Sequence, residues 1–180
     1  GEIVGVVVAV VVLLIMLRTA VGAALPVLTA FVGVGFSTML ALSLSGQVQM
    51  ASVTPMLGVM LGLAVGIDYS LFLLNRYRTE LRRGTEVTEA IGLATGTAGS
   101  AVAFAGMTVM IALIGLSVTG IPFLALMGAV AALAVLVAVL ITLTLTPALL
   151  GLVGKRLLPK SQRDVTVDEA EHVKTPLAVR

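Results

Sequence analysis

The sequence contains no cysteine. That excludes a disulfide frame, thiol chemistry and any Cys-based metal site. A single histidine, His172, lies in a polar tail, so no multi-histidine metal site can form. Charge is scarce as well. Only 11% of the 180 residues are charged, against roughly a quarter in a typical soluble domain. The stretches 19–67 and 90–154 contain no charged residue at all. What fills the chain instead is apolar, 59% of it. Uninterrupted apolar runs beyond about 18 residues mark membrane-spanning helices. A single soluble domain is therefore ruled out, and the chain reads as a polytopic membrane segment. The net charge of +2 is no argument for nucleic acid, because basic residues in such a chain are read by topology. The chain begins Gly1-Glu2, without the basic stretch of a signal peptide, and is expected to be a piece of a longer protein.

Five spans are expected, at about 3–17, 25–44, 55–75, 96–117 and 122–150. They predict an all-α bundle of five transmembrane helices over residues 1–160. The first span, about 22 Å long at 1.5 Å per residue, is short for a hydrocarbon core of about 30 Å. Pro26, Pro55 and Pro122 each fall in the expected first turn of a span. Proline is tolerated there because the amide hydrogen it lacks would be unpaired anyway. All 11 Lys and Arg residues then fall on one side: Arg18, the Arg76–Arg83 group, and those from Lys155 onward. By the positive-inside rule that side is cytoplasmic. The N-terminus is expected outside and the C-terminus inside, in a cell (inner) membrane protein.

Two segments are not read as spans. Residues 85–95 suit a short interfacial helix, with Thr85 as cap, Glu86 and Glu89 at its positive end, and Val87, Ala90, Ile91 and Ala94 on one face. Residues 161–180 mix charges with few large apolar groups and suit a cytoplasmic linker or tail.

Asp68 is the only residue within any expected span that carries a charge in water at neutral pH. It lies about 20 Å along its span from Pro55 and about 12 Å before Arg76. A carboxylate at that depth costs several kcal/mol unless neutralised, hydrated or paired. A group so placed can take a proton from one side and release it to the other. The bland alternative is a structural Asp hydrogen-bonded to neighbouring helices. Intramembrane acids favour the functional reading. Tyr69 follows, about 100° around the helix. It can relay a proton through a facing helix, although a packed aromatic is the commoner use.

Gly58, Gly62 and Gly66 recur every fourth residue, a spacing that lets another helix approach closely. Tyr69 is expected to extend that stripe and Asp68 to lie off it, so the helix is expected to be contacted on two sides. In the fourth span, Ser100, Ala103 and Gly106, with Gly99 beside them, suggest a second close-packing face. The hydroxyls of Thr97, Ser100 and Thr108 can reach Asp68 or carry water, but bonding to their own helix backbone is the commoner use. Thr142, Thr144 and Thr146 are weaker candidates for the same roles.

The run TPMLGVMLGLAVGIDYSLFLLNRYRTEL, Thr54 to Leu81, resembles the fourth transmembrane helix of the MmpL family of the resistance-nodulation-division (RND) superfamily. The Asp68-Tyr69 pair followed by basic residues carries the resemblance. RRGTEVTEAI, SAVAFAGMTVMIALIGL and LTLTPALLGLVGKRLLP extend it, so that residues 3 to 160 match helices two to six. The resemblance implies a proton-driven exporter of lipids or other hydrophobic compounds, with the proton as coupling ion and no other cofactor. It implies a proton relay of Asp68 and Tyr69, with Ser100 as a further member. It also implies a second membrane half and two porter domains as partners, beside membrane lipids and the cargo. Ala105 departs from the family pattern, where Ser often precedes the glycine of this span.

Other readings have specific weaknesses. A sterol-sensing-like lipid-binding module has a similar five-helix arrangement but needs no titrating acid at mid-depth. An intramembrane aspartyl protease needs two carboxylates sharing a site, and only one is present. A secretion-motor subunit of the same superfamily also uses intramembrane acids. No enzymatic activity is expected.

Overall fold

The computed structural model describes residues 2–17, 20–45 and 53–157. The predicted tail, 161–180, lies outside the described residues. Six α-helices account for most of the described chain: α1 (Glu2–Leu17), α2 (Ala20–Ser45), α3 (Val53–Arg82), α4 (Val87–Ala94), α5 (Ser100–Ile114) and α6 (Pro122–Val153). A π-helical turn, Thr95–Gly99, joins α4 to α5. Short 3₁₀ turns follow α5 and α6. No strand occurs among the described residues. Among the described residues, four helical segments are long and apolar enough to cross a membrane: Ala20–Leu40, Val53–Arg82, Val87–Thr119 and Pro122–Val153. The all-α membrane class is therefore as expected. The first expected span is the 16-residue α1, about 24 Å long and short for a hydrocarbon core of about 30 Å.

The boundaries differ from expectation in three places. First, α2 begins at Ala20, so Pro26 stands inside the helix and not in its first turn. Proline interrupts a soluble helix, but in a membrane bundle neighbouring helices make the interruption tolerable. Pro55 and Pro122 do occupy first turns. Second, α3 continues past Asn75 to Arg82. Its charged end stays helical because Arg76 and Glu80 pair at 2.9 Å across one turn. Third, the segment expected as a separate interfacial helix runs through the π turn straight into α5, forming one segment, Val87–Thr119. Helix α4 starts at Val87, its N-cap is Glu86, and no side chain caps it. The expected apolar face exists, but it packs on protein. Ala90 and Ala94 are buried with Leu74, Tyr77, Leu81, Leu150 and Leu157, and Val87 and Ile91 lie against that cluster.

Helices α2, α3 and α6 pack mutually and form the centre; α5 lies along α6, and α1 lies on α2. Small residues set this arrangement. A Cβ at Gly66 would sit 3.2 Å from the Ala30 Cα of α2. A Cβ at Gly106 would collide with Val139 of α6, and one at Gly128 with the Leu113 carbonyl. Without aqueous hydrophobic drive between lipid-embedded helices, such close backbone approach is what favours association. The α5–α6 connection is tight. Gly120 takes a left-handed φ of 71°, a conformation cheap only for glycine, and Pro122 then starts α6.

Candidate functional site

Helix α3 positions the predicted acid. Asp68 is fifteen residues from the first residue of α3 and fourteen from the last, since the helix runs 53–82. That is the middle of the helix, nearer its centre than the shorter predicted span implied. Burial along α3 repeats every four residues. Gly58, Gly62, Gly66 and Ser70 are buried, while Met56, Met60, Ala64, Asp68 and Phe72 are exposed. Asp68 therefore stands outward from the bundle, in a row of otherwise apolar side chains. Among the described residues it makes no hydrogen bond and no ion pair.

The structure does not join the three predicted relay residues by hydrogen bonds. Tyr69 is half-buried and packs against the cluster of Val102, Val135 and Val139. It is not part of the glycine stripe, whose next member at the same spacing is Ser70. The reason is geometric: four residues advance about 400°, keeping one face, whereas three fall about 60° short of a full turn. Ser100 is exposed, and its hydroxyl donates to the Thr97 carbonyl at 2.8 Å. Thr97 and Thr108 likewise donate to their own backbone, at Leu93 and Phe104. The buried face of α5 and its preceding turn is Gly99, Val102 and Gly106. It is not Ser100, Ala103 and Gly106 as the sequence suggested. Gly58 faces Val130 and Ala134 of α6, Gly62 lies between Ala134 and Val34, and Gly66 faces α2. Both α2 and α6 thus meet the glycine face, while the side of Asp68, expected as a second contacted side, is exposed.

A polar cluster behind Asp68 was not anticipated. The Ser70 hydroxyl lies 2.8 Å from Thr29 Oγ1 of α2, 3.4 Å from Thr142 Oγ1 and 3.5 Å from Thr146 Oγ1 of α6. All four residues are at most 2% exposed. The legible signal was the place of Ser70 four residues after Gly66. Thr144, between the two α6 partners, points outward and bonds the Leu140 carbonyl. A second polar group lies at the Arg82 end of α3. The buried Glu80 carboxylate pairs with Arg76 at 2.9 Å and Arg83 at 3.3 Å. Arg76 Nε also donates to Thr97 Oγ1 at 3.2 Å, tying α3 to the π turn. Among the described residues no group of acidic or histidine side chains could hold a metal ion.

Comparison with known proteins gives the same family that the Asp-Tyr run suggested. The profile of the MMPL family matches residues 1–173. The membrane protein YdfJ of Bacillus subtilis is 48% identical over 171 residues, covering 95% of this chain and 24% of YdfJ. The mycolic acid-containing lipids exporter MmpL11 of Mycolicibacterium smegmatis is 42% identical over 149 residues, 81% of this chain and 15% of the exporter. The heme uptake protein MmpL11 of Mycobacterium tuberculosis is 40% identical over 132 residues, 73% of this chain and 13% of its own length. The chain thus spans about a quarter or less of the length of these relatives.

Proposed function

The chain belongs to the MMPL family, and from that premise we propose that it forms part of the membrane domain of a proton-driven exporter. Asp68 is the proton carrier, and Tyr69 is the neighbouring hydroxyl that packs toward α5 and α6. Ser100, exposed beside the π turn, is a third member. The cargo class is a lipid or another hydrophobic compound. The lipid export and heme uptake for which the two MmpL11 relatives are named support that class. The N-terminus lies outside and the C-terminus in the cytoplasm, following the one-sided basic residues.

One observation carries this reading. A carboxylate stands midway along an apolar helix, on the outer face of the bundle, with no partner among the described residues. An ionised carboxylate facing hydrocarbon is costly. In the whole protein that face is covered by another segment, and the second membrane half is the occupant we assign. Each protonation of Asp68 removes the charge and the cost of exposing it, which changes how tightly the two halves close. The membrane potential supplies about 2.3 kcal/mol per charge per 100 mV to drive that cycle.

The test is Asp68→Asn in the full-length protein, with export measured at matched membrane levels. Asn keeps size and hydrogen bonding but cannot titrate. We expect export to fall to background while folding is normal. Full export by the variant would sink the proton-carrier reading and favour a lipid-sensing module.

A further inference from the structure

Glycine contacts bring helices close but carry little direction. Gly58, Gly62 and Gly66 give α3 a smooth face toward α2 and α6. Along that stretch Leu61, Val65 and Tyr69 pack on one apolar cluster and Ile67 on another, contacts that carry no hydrogen-bond direction. Ser70 is the first polar group at the end of the smooth stretch, and it meets hydroxyls from both neighbouring helices.

Thr29 has one hydroxyl hydrogen and three acceptors in reach: Ser70 Oγ at 2.8 Å, the Pro26 carbonyl at 2.9 Å and the Leu25 carbonyl at 3.1 Å. When the hydrogen goes to its own helix, Ser70 donates to Thr29 and accepts from Thr142 or Thr146. Either way, the hydroxyls link α6 through α3 to α2. The links are unequal, 2.8 Å on the α2 side and 3.4 to 3.5 Å on the α6 side. Gly66 against Ala30 is also the closest of the three glycine approaches. The shortest hydroxyl and glycine contacts of α3 are thus with α2, while its most extensive packing is with α6.

Asp68 and Ser70 are two residues apart, about 200° around the helix. They point to opposite sides. A one-residue slip would turn α3 by about 100°. It would carry the Ser70 hydroxyl away from Thr29 and swing Asp68 off the outward row of Met60, Ala64 and Phe72. We propose that Ser70 is a positioning residue, which aims Asp68 out of the bundle by bonding Thr29 on the opposite side of α3. Its importance for export rests on the reading of Asp68 as the proton carrier; its effect on the direction of Asp68 does not.

The experiment reads that direction chemically. Membranes containing the full-length protein are treated with dicyclohexylcarbodiimide, an apolar reagent for carboxyl groups within membranes. Label on the Asp68 peptide is measured by mass spectrometry, with Asp68→Asn as the blank. Ser70→Ala is expected to change the labelling rate at Asp68 by at least about threefold, the scale of coupling between groups in one hydrogen-bond network. The exchanged pair Thr29→Ser/Ser70→Thr keeps both hydroxyls and the total volume, and is expected to bring the rate back toward that of the parent. Should Ser70→Ala fail to reach the membrane, Thr29→Val is read in its place. An unchanged label, whether high or absent in both proteins, would overturn the inference. Export is assayed in parallel. Loss in Asp68→Asn with unchanged labelling in Ser70→Ala removes the positioning role and leaves the proton-carrier reading intact. Altered labelling with full export in Asp68→Asn does the reverse.

Discussion

On one side of α3, Gly58, Gly62, Gly66, Ser70, Leu73 and Tyr77 are buried; on the other, Met56, Met60, Ala64, Asp68 and Phe72 stand outward. The outward row repeats every four residues and the buried row every four or three, yet their compositions are nearly inverted. The buried row is small where helices cross and bonds its Ser70 hydroxyl, while the Tyr77 hydroxyl further along is buried without a hydrogen-bond partner among the described residues. The outward row is bulky and apolar, with one carboxylate and no hydrogen-bond partner for it among the described residues. Burial in a membrane bundle therefore selects for fit and polar pairing more than for hydrophobicity, because lipid is as apolar as the core. The charge on the outward row is the feature that the proposed covering by a second membrane half accounts for.

Substitutions can test the contrast between the two rows. The largest effect is expected at Gly66. Its Cβ alone would crowd Ala30 at 3.2 Å and 3.3 Å, so Gly66→Leu should destabilise the folded protein by roughly 3 kcal/mol. Ala64→Leu, one row over and outward, should cost less than about 0.5 kcal/mol. Thermal unfolding in detergent compares the two, and equal losses would erase the distinction between the rows. If Ala64→Leu keeps its stability but loses export, the outward row is covered by protein.

A smaller effect is expected at Glu80, a buried charge of α3 that pairs with two arginines. Glu80→Gln leaves Arg76 and Arg83 without their carboxylate, at an expected loss of about 1–2 kcal/mol, because both arginines reach water. Unfolding at low and high salt should show the difference shrinking as salt rises. Smallest is Thr97→Val. It removes the acceptor of the Arg76 Nε hydrogen bond, and on the exposed rim of the bundle this should cost no more than about 1 kcal/mol. A clearly larger loss would move the π turn from the periphery to the centre of the fold.

Much of this arrangement is legible in the residues themselves. Apolar run length and two first-turn prolines locate most of the helices. The isolated Asp68 and the i+4 glycines single out α3, and the glycines give the face on which α2 and α6 pack, whereas the Asp68 side is exposed. The start of α2 is not legible, because Pro26 reads as a boundary while the small residues from Ala20 onward continue the helix before it. Nor is the union of α4 with α5. A polar, glycine-containing TGTAG run looks like a break, but each of its residues can take a widened helical turn. Ser70 was obscured by its neighbours. In the run Asp68-Tyr69-Ser70 the charge and the ring draw attention, and a serine hydroxyl more often bonds its own helix. Only the convergence of three helices, which no local pattern encodes, makes it a shared donor and acceptor.

The π turn bears on how the chain tolerates changes in length. Such a turn holds one residue more than the α-helix on either side requires. Residues 95–99 include Gly96, whose surroundings are open, and both flanking backbones are already right-handed helical. Loss of one residue here would let the turn relax into ordinary helix, with α5 keeping its register against α6. The same loss at Gly62 or Val135 would turn every later side chain of that helix by about 100° and scatter the faces that meet there. Insertions and deletions in related chains should therefore gather at this turn and spare the crossings of α2, α3 and α6.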